Sequence, residues 1–232
     1  MVEDAAHALG TVVGDQAVGT ISRATRFSFY ATKNLAIGVG GMLTTDDDEL
    51  ADAAGRARLH GMSKDAWRRY LPGAGWQYDV EDDGLKANMT DVQAALGRAQ
   101  LRRFESTQER RAETAALYDS LIVDIPGLTL LLRPMSGRDA WHLYAVRVRP
   151  SFGVSRDDLI AALSERGIGT SVHFIPIHRL TWYSQVCLHE TCGLPGVESV
   201  FEQTLSLPMD QVITVDDVVT VCATLAEIGV SR

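Results

Sequence analysis

The chain has 232 residues, of which 46% are hydrophobic, and a net charge of −8 at pH 7. This composition excludes a compositionally disordered chain and allows a sizeable core. The acidic balance argues against a nucleic-acid partner, because neutralising phosphates needs clustered Lys and Arg, and no apolar stretch is long enough to span a membrane. The expected location is therefore the cytoplasm.

Two groups near the start of the chain suit a pyridine cofactor. Asp4 and His7 stand three residues apart, just before Gly10. A carboxylate at this place can pair with a protonated pyridine nitrogen, and that pairing makes such a cofactor an electron sink.

Lys33 lies in the run Phe27-Ser28-Phe29-Tyr30-Ala31-Thr32-Lys33-Asn34. An amine among aromatic side chains tends to lose its proton, since burial disfavours the charged form, and the neutral amine is the species that reacts with an aldehyde. Ser28, five residues earlier, offers a hydroxyl to a phosphate. The alternative is an ordinary surface lysine that follows a strand, because most lysines are exposed.

Capping residues and periodicity predict the elements that follow the lysine. Leu50, Ala53 and Ala57 share one face of a helix with acids in its first turn, and Gly61 stands just beyond its end. Thr90 caps a second helix, whose apolar positions give way to a charged run, which indicates one long helix between two domains. The predicted elements are a strand over 42–45, helices over 46–60 and 90–113, and a long ordered loop over 62–87.

The second half of the chain has the pattern of a smaller α+β domain. Ser155 with Asp158 makes a capping-box-like helix start, and Gly167 and Gly169 mark the helix end. We predict strands over 128–132, 143–148 and 170–175, and helices over 155–166, 196–203 and 214–228. The chain therefore divides near residue 105, into the remainder of a cofactor-binding large domain over 1–105 and a small C-terminal domain over 106–232.

Five segments, taken in order, resemble the sugar aminotransferases of the DegT/DnrJ/EryC1/StrS family, and the resemblance covers essentially the whole chain. No single segment is decisive, but five in the family's order are highly specific. The implied fold is α/β and aspartate aminotransferase-like (PLP fold type I), with a mixed sheet in a truncated large domain. The segments are Glu3-Asp4-Ala5-Ala6-His7, Ser28-Phe29-Tyr30-Ala31-Thr32-Lys33-Asn34-Leu35, Asn88-Met89-Thr90-Asp91-Val92-Gln93-Ala94-Ala95-Leu96-Gly97, His173-Phe174-Ile175-Pro176-Ile177-His178 and Leu205-Ser206-Leu207-Pro208.

The resemblance implies that pyridoxal 5'-phosphate is the cofactor and that Lys33 is its Schiff-base lysine. Asp4 would pair with the pyridine nitrogen, and His7 stands where the family has a Gln or His beside the phenolic oxygen. Ser28 matches the phosphate-binding serine. Asn88 matches an asparagine that reaches the phosphate in the neighbouring subunit's site, which implies a homodimer.

Two histidines are candidate substrate residues. His173 and His178 bracket the segment Phe174-Ile175-Pro176-Ile177, and in the family this segment approaches the sugar nucleotide. A strand end followed by a loop is a good geometry for lining a cleft. The alternative, that one or both form only local hydrogen bonds, is equally open, since single histidines usually do so.

Two departures from the family pattern bear on function. Many members have Gly-Glu-Gly-Gly after the lysine, but this chain has Gly38-Val39-Gly40-Gly41, so the contact of that acid is absent and the substrate is less defined. Only Met1 and Val2 precede Glu3, where the family has a long segment that forms part of the cofactor site. We therefore expect exposed apolar surface and open sheet edges unless another chain covers them.

Two functional hypotheses follow. The leading one is an aminotransferase that moves an amino group from an amino acid, such as glutamate, to a keto group on a nucleotide-linked deoxysugar, in sugar or cell-surface polysaccharide biosynthesis. A related dehydratase branch has His in place of the lysine, so Lys33 favours transamination. The other is a catalytically incomplete remnant, or one half of a split enzyme, that dimerises or complements a chain carrying the N-terminal part.

The three cysteines indicate reduced thiols. Cys187, Cys192 and Cys222 are an odd set, which does not suit a disulfide framework. Cys187 and Cys192 flank His189, but the spacing fits no common zinc pattern. We therefore expect no metal site.

Overall fold

A computed structural model describes residues 1–63, 71–73, 76–133, 136–186 and 194–230. The chain forms two compact units. The first unit comprises Met1–Glu105 with Ser136–Ala140, and the second comprises Ser106–Met135 with Trp141–Arg232.

In the described residues, the first unit begins with five strands followed by two helices, and the second mixes helices and strands. In chain order, these elements are β1 (Val2–Asp4), β2 (Val12–Val13), β3 (Gln16–Ala17), β4 (Ala24–Ser28), β5 (Gly41–Thr44), α1 (Asp48–Ala57), α2 (Asp91–Leu101), α3 (Phe104–Ile122), β6 (Leu128–Leu130), β7 (Gly137–Arg138), β8 (Tyr144–Val148), α4 (Arg156–Glu165), α5 (Thr181–Val186), α6 (Pro195–Gln203), β9 (Thr204–Leu207) and α7 (Val215–Val230). In the described part of the chain, 3-10 turns lie at Pro150–Phe152 and Ile177–Arg179.

A three-stranded mixed sheet organises the first unit. Its order is β1-β4-β5, with β1 parallel and β5 antiparallel to β4. The register places Asp4 beside Arg26, and Ser28 beside Gly41. Because β1 and β4 are parallel, their C-terminal ends bring the predicted carboxylate and hydroxyl to the same end of the sheet. A small antiparallel sheet of β3, β2 and β7 lies elsewhere in this unit.

Side chains cap the two helices of the first unit as their sequences predict. Asp47 accepts a hydrogen bond from the Leu50 N–H at 3.0 Å. Thr90 and Gln93 form a reciprocal capping box at the start of α2, which satisfies two N–H groups that have no partner inside the helix. Neither α1 nor α2 buries a residue, so capping rather than core packing defines where these helices begin.

The second unit is built around a closed core. Its antiparallel sheet has the order β6-β8-β9, and β8 alternates between buried and half-buried positions, as expected for a strand with one covered face. Helices α3, α4 and α7 supply the opposing apolar side chains. The core includes Ala115, Tyr118, Ile122, Tyr144, Val146, Phe152, Leu159, Leu163, Leu205, Val218 and Leu225.

The structure corrects three of the predicted elements. The long helix is wrong: α2 ends at Leu101, and the Arg103 N–H turns back to the Gln100 carbonyl at 3.1 Å before α3 begins. The strand over 170–175 is also wrong. Only Ser171 bridges to β9, and the chain then turns at Pro176, which has no N–H for a sheet. The third strand of this sheet is β9, which the sequence pattern missed.

Other predictions lie partly outside the described residues. The loop over 62–87 includes 64–70 and 74–75, and Cys187, His189 and Cys192 also fall outside the described ranges. Among the described residues, the structure contains no group of three or more His, Cys, Asp or Glu side chains arranged to hold a metal. None of the helices in the described part combines the length and apolar character needed to cross a membrane.

Candidate functional site

Asp4 is held at the C-terminal end of β1. Its Oδ2 atom accepts a hydrogen bond from Arg26 Nη2 at 2.6 Å, and its Oδ1 atom accepts one from the Ala6 N–H at 3.2 Å. The hydrogen bond from Arg26 lowers the pKa of Asp4 below its usual value; burial opposes this, and Ala6 and the charge of His7 add to the lowering. Asp4 is therefore an ionised, oriented carboxylate at neutral pH.

Lys33 lies in a turn directly after β4. Its N–H donates to the Tyr30 carbonyl at 2.9 Å, and its side chain is half-buried. Burial lowers the pKa of the Lys33 amine, and the negative charge of Asp4 partly opposes that shift. The structure thus brings both His7 and Lys33 within electrostatic reach of Asp4. An amine in this setting loses its proton more readily than one in water.

Ser28 closes β4 beside the turn that contains the lysine. Its Oγ atom accepts a hydrogen bond from the Tyr30 N–H at 3.3 Å. The facing residue, Gly41, has no space for a side chain, because a Cβ atom there would approach the Phe27 carbonyl oxygen to 2.7 Å. β4 and β5 therefore pack closely at this point, and Ser28 lies at the same C-terminal end of the parallel strands as Asp4.

The turn after the lysine is anchored from its other side. Asn34 is buried and donates through Nδ2 to the Ala140 carbonyl at 2.6 Å, and Leu35 and Ile37 are buried as well. The start of α2 attaches to the following loop, because Gln93 Nε2 donates to the Val39 carbonyl at 2.7 Å. These contacts fix both ends of the segment that carries Lys33.

Asn88 makes only local contacts among the described residues. Its Oδ1 atom accepts from Lys86 Nζ at 2.5 Å, and its Nδ2 atom donates weakly to the Met89 carbonyl at 3.5 Å. The structure therefore does not bring its amide to Asp4 or Lys33. A role toward a neighbouring subunit stays a prediction.

His173 contacts a buried serine in the second unit. Its Nδ1 atom lies 2.9 Å from Ser206 Oγ. The imidazole lines two cavities. One, of about 680 Å³, also contains Ser206 and Pro208, and the other, of about 400 Å³, contains Phe174 and Val200.

His178 pairs with an acid on α6. Its Nε2 atom lies 2.5 Å from Glu198 Oε1, and Arg179 forms an ion pair with the other oxygen of the same carboxylate. The hydrogen bond from Arg179, followed by that from His178, lowers the pKa of Glu198. His178 therefore forms a hydrogen bond within the protein, as the alternative to a substrate role predicts. Contact of His178 with a substrate stays a prediction.

Sequence reasoning missed three partners of the candidate residues, namely Arg26, Glu198 and Ser206. A signal existed for Arg26, because it stands two residues before Ser28 and therefore projects from the same face of a strand. The sequence offered no comparable signal for Glu198, since its pairing depends on the packing of α6. Ser206 lies in a segment that the family motif singled out, but without an assigned role.

Comparisons with known proteins agree with one another. The model of the DegT/DnrJ/EryC1/StrS aminotransferase family matches residues 1–226. The chain is 48% identical to the spore coat polysaccharide biosynthesis protein SpsC of Bacillus subtilis over 220 residues, which cover 94% of this chain and 57% of SpsC.

The solved structures that superpose on this chain are also aminotransferases. Spr1654 from Streptococcus pneumoniae, a candidate sugar aminotransferase solved in its PLP-form, superposes with a TM-score of 0.87 at 30% identity and covers 98% of this chain and 57% of that one. Helicobacter pylori PseC, an aminotransferase involved in the biosynthesis of pseudoaminic acid, superposes with a TM-score of 0.88 at 28% identity, covering 100% of this chain and 60% of PseC. The chain therefore spans less than two thirds of the length of these relatives.

Proposed function

This chain belongs to the DegT/DnrJ/EryC1/StrS aminotransferase family, and from that premise we propose that it transfers an amino group from an amino acid, such as glutamate, to a keto group of a nucleotide-linked deoxysugar. The family and the aspartate aminotransferase-like fold predicted from the sequence are confirmed. The predicted cofactor, pyridoxal 5'-phosphate, is confirmed at the level of the family. A cytoplasmic location stays a prediction from the sequence.

The observation that carries the proposal is that Lys33 and Asp4 lie close enough for their charges to interact. The residues present fit pyridoxal phosphate. Asp4 is an ionised carboxylate that can accept a further hydrogen bond, since its two hydrogen bonds leave lone pairs on its oxygens. Lys33 is an amine whose pKa is lowered by burial. Asp4 would hold a proton on the pyridine nitrogen, and Ser28 would donate to the phosphate. When bound, the cofactor supplies an electron sink for the donor's α-carbon.

Lys33 and Asp4 would have different roles in the reaction. Lys33 Nζ would hold the cofactor and, once displaced, take the proton from the α-carbon of the amino-acid donor, which requires the neutral amine. Asp4 would stay ionised throughout, because Arg26 and the Ala6 N–H both favour its charged form. His7 would stand beside the phenolic oxygen. In the second unit, His173 and His178 are the residues we propose for the sugar nucleotide.

The experiment that tests the cofactor site is covalent labelling. The chain is mixed with pyridoxal phosphate and reduced with borohydride, and the modified lysines are mapped by mass spectrometry. We expect the adduct at Lys33, its loss in Lys33→Arg, and its retention in the matched variant Lys86→Arg, which removes an exposed amine. Equal labelling of the wild type and Lys33→Arg would contradict the assignment.

A second candidate function rests on the exposed apolar surface of the first unit. Val2, Met42 and Leu43 are 72%, 49% and 43% exposed, and β1 and β5 form the two edges of the sheet. Open edges with apolar side chains favour association. We propose that the chain works with a partner that covers these exposed side chains, either a second copy or a chain equivalent to the part of its relatives that it does not match. A chain that only complements or dimerises is the alternative to an independent enzyme.

Sedimentation and co-expression separate these possibilities. We expect the chain alone to self-associate, and Leu43→Lys to reduce that association without loss of helical content. Co-expression with the part of SpsC that the chain does not match should yield a complex that carries more cofactor on Lys33 than the chain alone. A monomer that carries the cofactor stoichiometrically by itself would contradict the need for a partner.

A further inference from the structure

One face of α2 lies against the loop that carries Lys33. Gln93, Gly97 and Gln100 recur at intervals of four and three residues, so they share a face of the helix, and each is half-buried. Gly97 allows a close approach, because a Cβ atom there would lie only 3.3 Å from Ile37 Cγ2. An ordinary contact between carbon atoms is ~3.5–4.0 Å. The helix therefore packs closely on the loop and turns two glutamine side chains toward it.

Gln100 binds both polar backbone groups of Ala36. Its Oε1 atom accepts a hydrogen bond from the Ala36 N–H at 3.3 Å, and its Nε2 atom donates to the Ala36 carbonyl. An amide side chain offers an acceptor and donors together, so this pairing imitates the partner that a neighbouring strand would supply. Gln93 adds a second attachment through its hydrogen bond to the Val39 carbonyl. The loop that follows Lys33 is therefore attached to α2 at two points.

The loop is short and is closed at its base. The Ile37 N–H donates to the Phe29 carbonyl at 2.9 Å, which leaves residues 30–36 between the two ends. Ala36 is the last residue of this loop, and Lys33 is in its middle. Because each residue extends the chain by no more than about 3.6 Å, fixing Ala36 limits how far the lysine can move.

We propose that Gln100 is a positioning residue for the cofactor lysine: by binding both polar backbone groups of Ala36, it keeps Lys33 in its half-buried place after β4. The capping box at Thr90 supports this role, because it fixes the start of the helix from which Gln93 and Gln100 project. The inference rests on the proposed function for the identity of Lys33 as the cofactor amine, whereas the attachment of the loop to α2 is a property of the chain.

Amide hydrogen exchange, followed by NMR, tests the attachment without any cofactor. Gln100→Met keeps the length of the side chain but removes its hydrogen bonds. In this variant we expect the Ala36 N–H to exchange about threefold to tenfold faster than in the wild type, the effect of roughly one hydrogen bond. The matched control, Gln77→Met, replaces an exposed glutamine of the same unit and should leave the exchange of Ala36 unchanged.

Two results of this experiment would overturn the proposal. One is equal exchange of the Ala36 N–H in the wild type and Gln100→Met. The other is a loss of protection throughout α2 in Gln100→Met, because Gln100 would then stabilise the helix rather than position the loop. The amides in the middle of α2 should instead exchange as slowly in the variant as in the wild type.

Labelling with pyridoxal phosphate and borohydride tests the consequence for the amine. Burial lowers the pKa of Lys33, and the charge of Asp4 opposes this lowering. A lysine that Gln100 no longer holds should be more exposed to water. In Gln100→Met, the pH of half-maximal labelling at Lys33 should therefore rise toward that of Nα-acetyl-lysine, whose pKa is about 10.4. Gln77→Met should keep the wild-type value, and an unchanged value in Gln100→Met would overturn the positioning role.

The failure of this inference differs from the failure of the proposed function. Absence of an adduct at Lys33 in the wild type would contradict the proposed function, whatever Gln100 does. An adduct at Lys33 that forms with the same pH dependence in the wild type and Gln100→Met would leave the proposed function intact and overturn only the role of Gln100.

Discussion

The two units of this chain differ sharply in how much apolar surface they bury. The second unit encloses side chains such as Tyr118, Leu163 and Leu205, each less than 2% exposed. The first unit leaves apolar side chains of its sheet exposed, and its helices α1 and α2 bury no residue. This difference in apolar burial indicates that the second unit is stabilised by its own residues, whereas the first presents a surface that a partner can cover.

The buried core that stabilises the chain and the residues proposed for its chemistry therefore lie in different units. Asp4, Ser28 and Lys33, the residues proposed for the cofactor, all belong to the less buried unit. A partner that covers the first unit would therefore act on the cofactor site, with little effect on the core of the second unit. Changes in the two units should consequently have different outcomes.

The largest expected effect comes from the core of the second unit. Leu205→Ala removes a fully buried side chain and should lower the free energy of unfolding by about 2–5 kcal/mol. Its counterpart on α2, Leu96→Ala, removes a side chain that is 46% exposed and should cost less than about 1 kcal/mol. Denaturant titration measures both. A similar loss of unfolding free energy in the two variants would contradict the difference in apolar burial between the units.

Cys222 provides an intermediate test of the same core. Burial raises the pKa of its thiol to about 11, so little reactive thiolate forms at pH 8. We expect alkylation of Cys222 in the native chain to be roughly a hundredfold slower than in the unfolded chain. Peptide mapping resolves this cysteine from the other two. Equal rates in native and unfolded protein would show that the second unit opens readily.

The smallest expected effect concerns the exposed ion pair of the first unit. The pKa of Asp4 is lowered in the folded chain, first of all by Arg26. The pair therefore stabilises the fold above the unfolded pKa of Asp, about 3.9, and this contribution is lost as the pH falls through the lower folded value. In Arg26→Gln we expect a small loss of stability at pH 7.

Unfolding curves at several pH values check this prediction. The difference between the wild type and Arg26→Gln should shrink toward acid pH. It should also shrink in high salt, since the pair is exposed on both sides. A difference that grows as the pH falls would contradict the assigned direction of the Asp4 pKa.

Local signals made several elements predictable from the sequence. The Thr90 capping box and the Ser155 cap both appear where the residue types indicate. In contrast, β9 follows α6 directly, without the Gly or Pro that usually marks the start of a strand, and its Thr-Leu-Ser-Leu alternation spans only four residues, all of them buried.

The candidate site was predictable only in its residue types. Resemblance and chemistry together singled out Asp4 and Lys33. The Arg26 partner of Asp4 depends on the register of two parallel strands, and its hydrogen bond joins residues 22 apart in sequence. Likewise, the partner of His178 is 20 residues away, on α6. Such pairings follow from tertiary packing, which a pattern in one segment does not contain.

The pH dependence of labelling at Lys33 tests most directly whether this lysine is the amine of the cofactor site. Pyridoxal phosphate and borohydride are applied over a range of pH, with Nα-acetyl-lysine as the reference amine, whose pKa is about 10.4. Because burial lowers the pKa of Lys33, labelling of Lys33 should reach half its maximum at a lower pH than labelling of the reference amine. A labelling midpoint at or above that of the reference amine would contradict a lowered pKa at Lys33 and its assignment as the amine of the cofactor site.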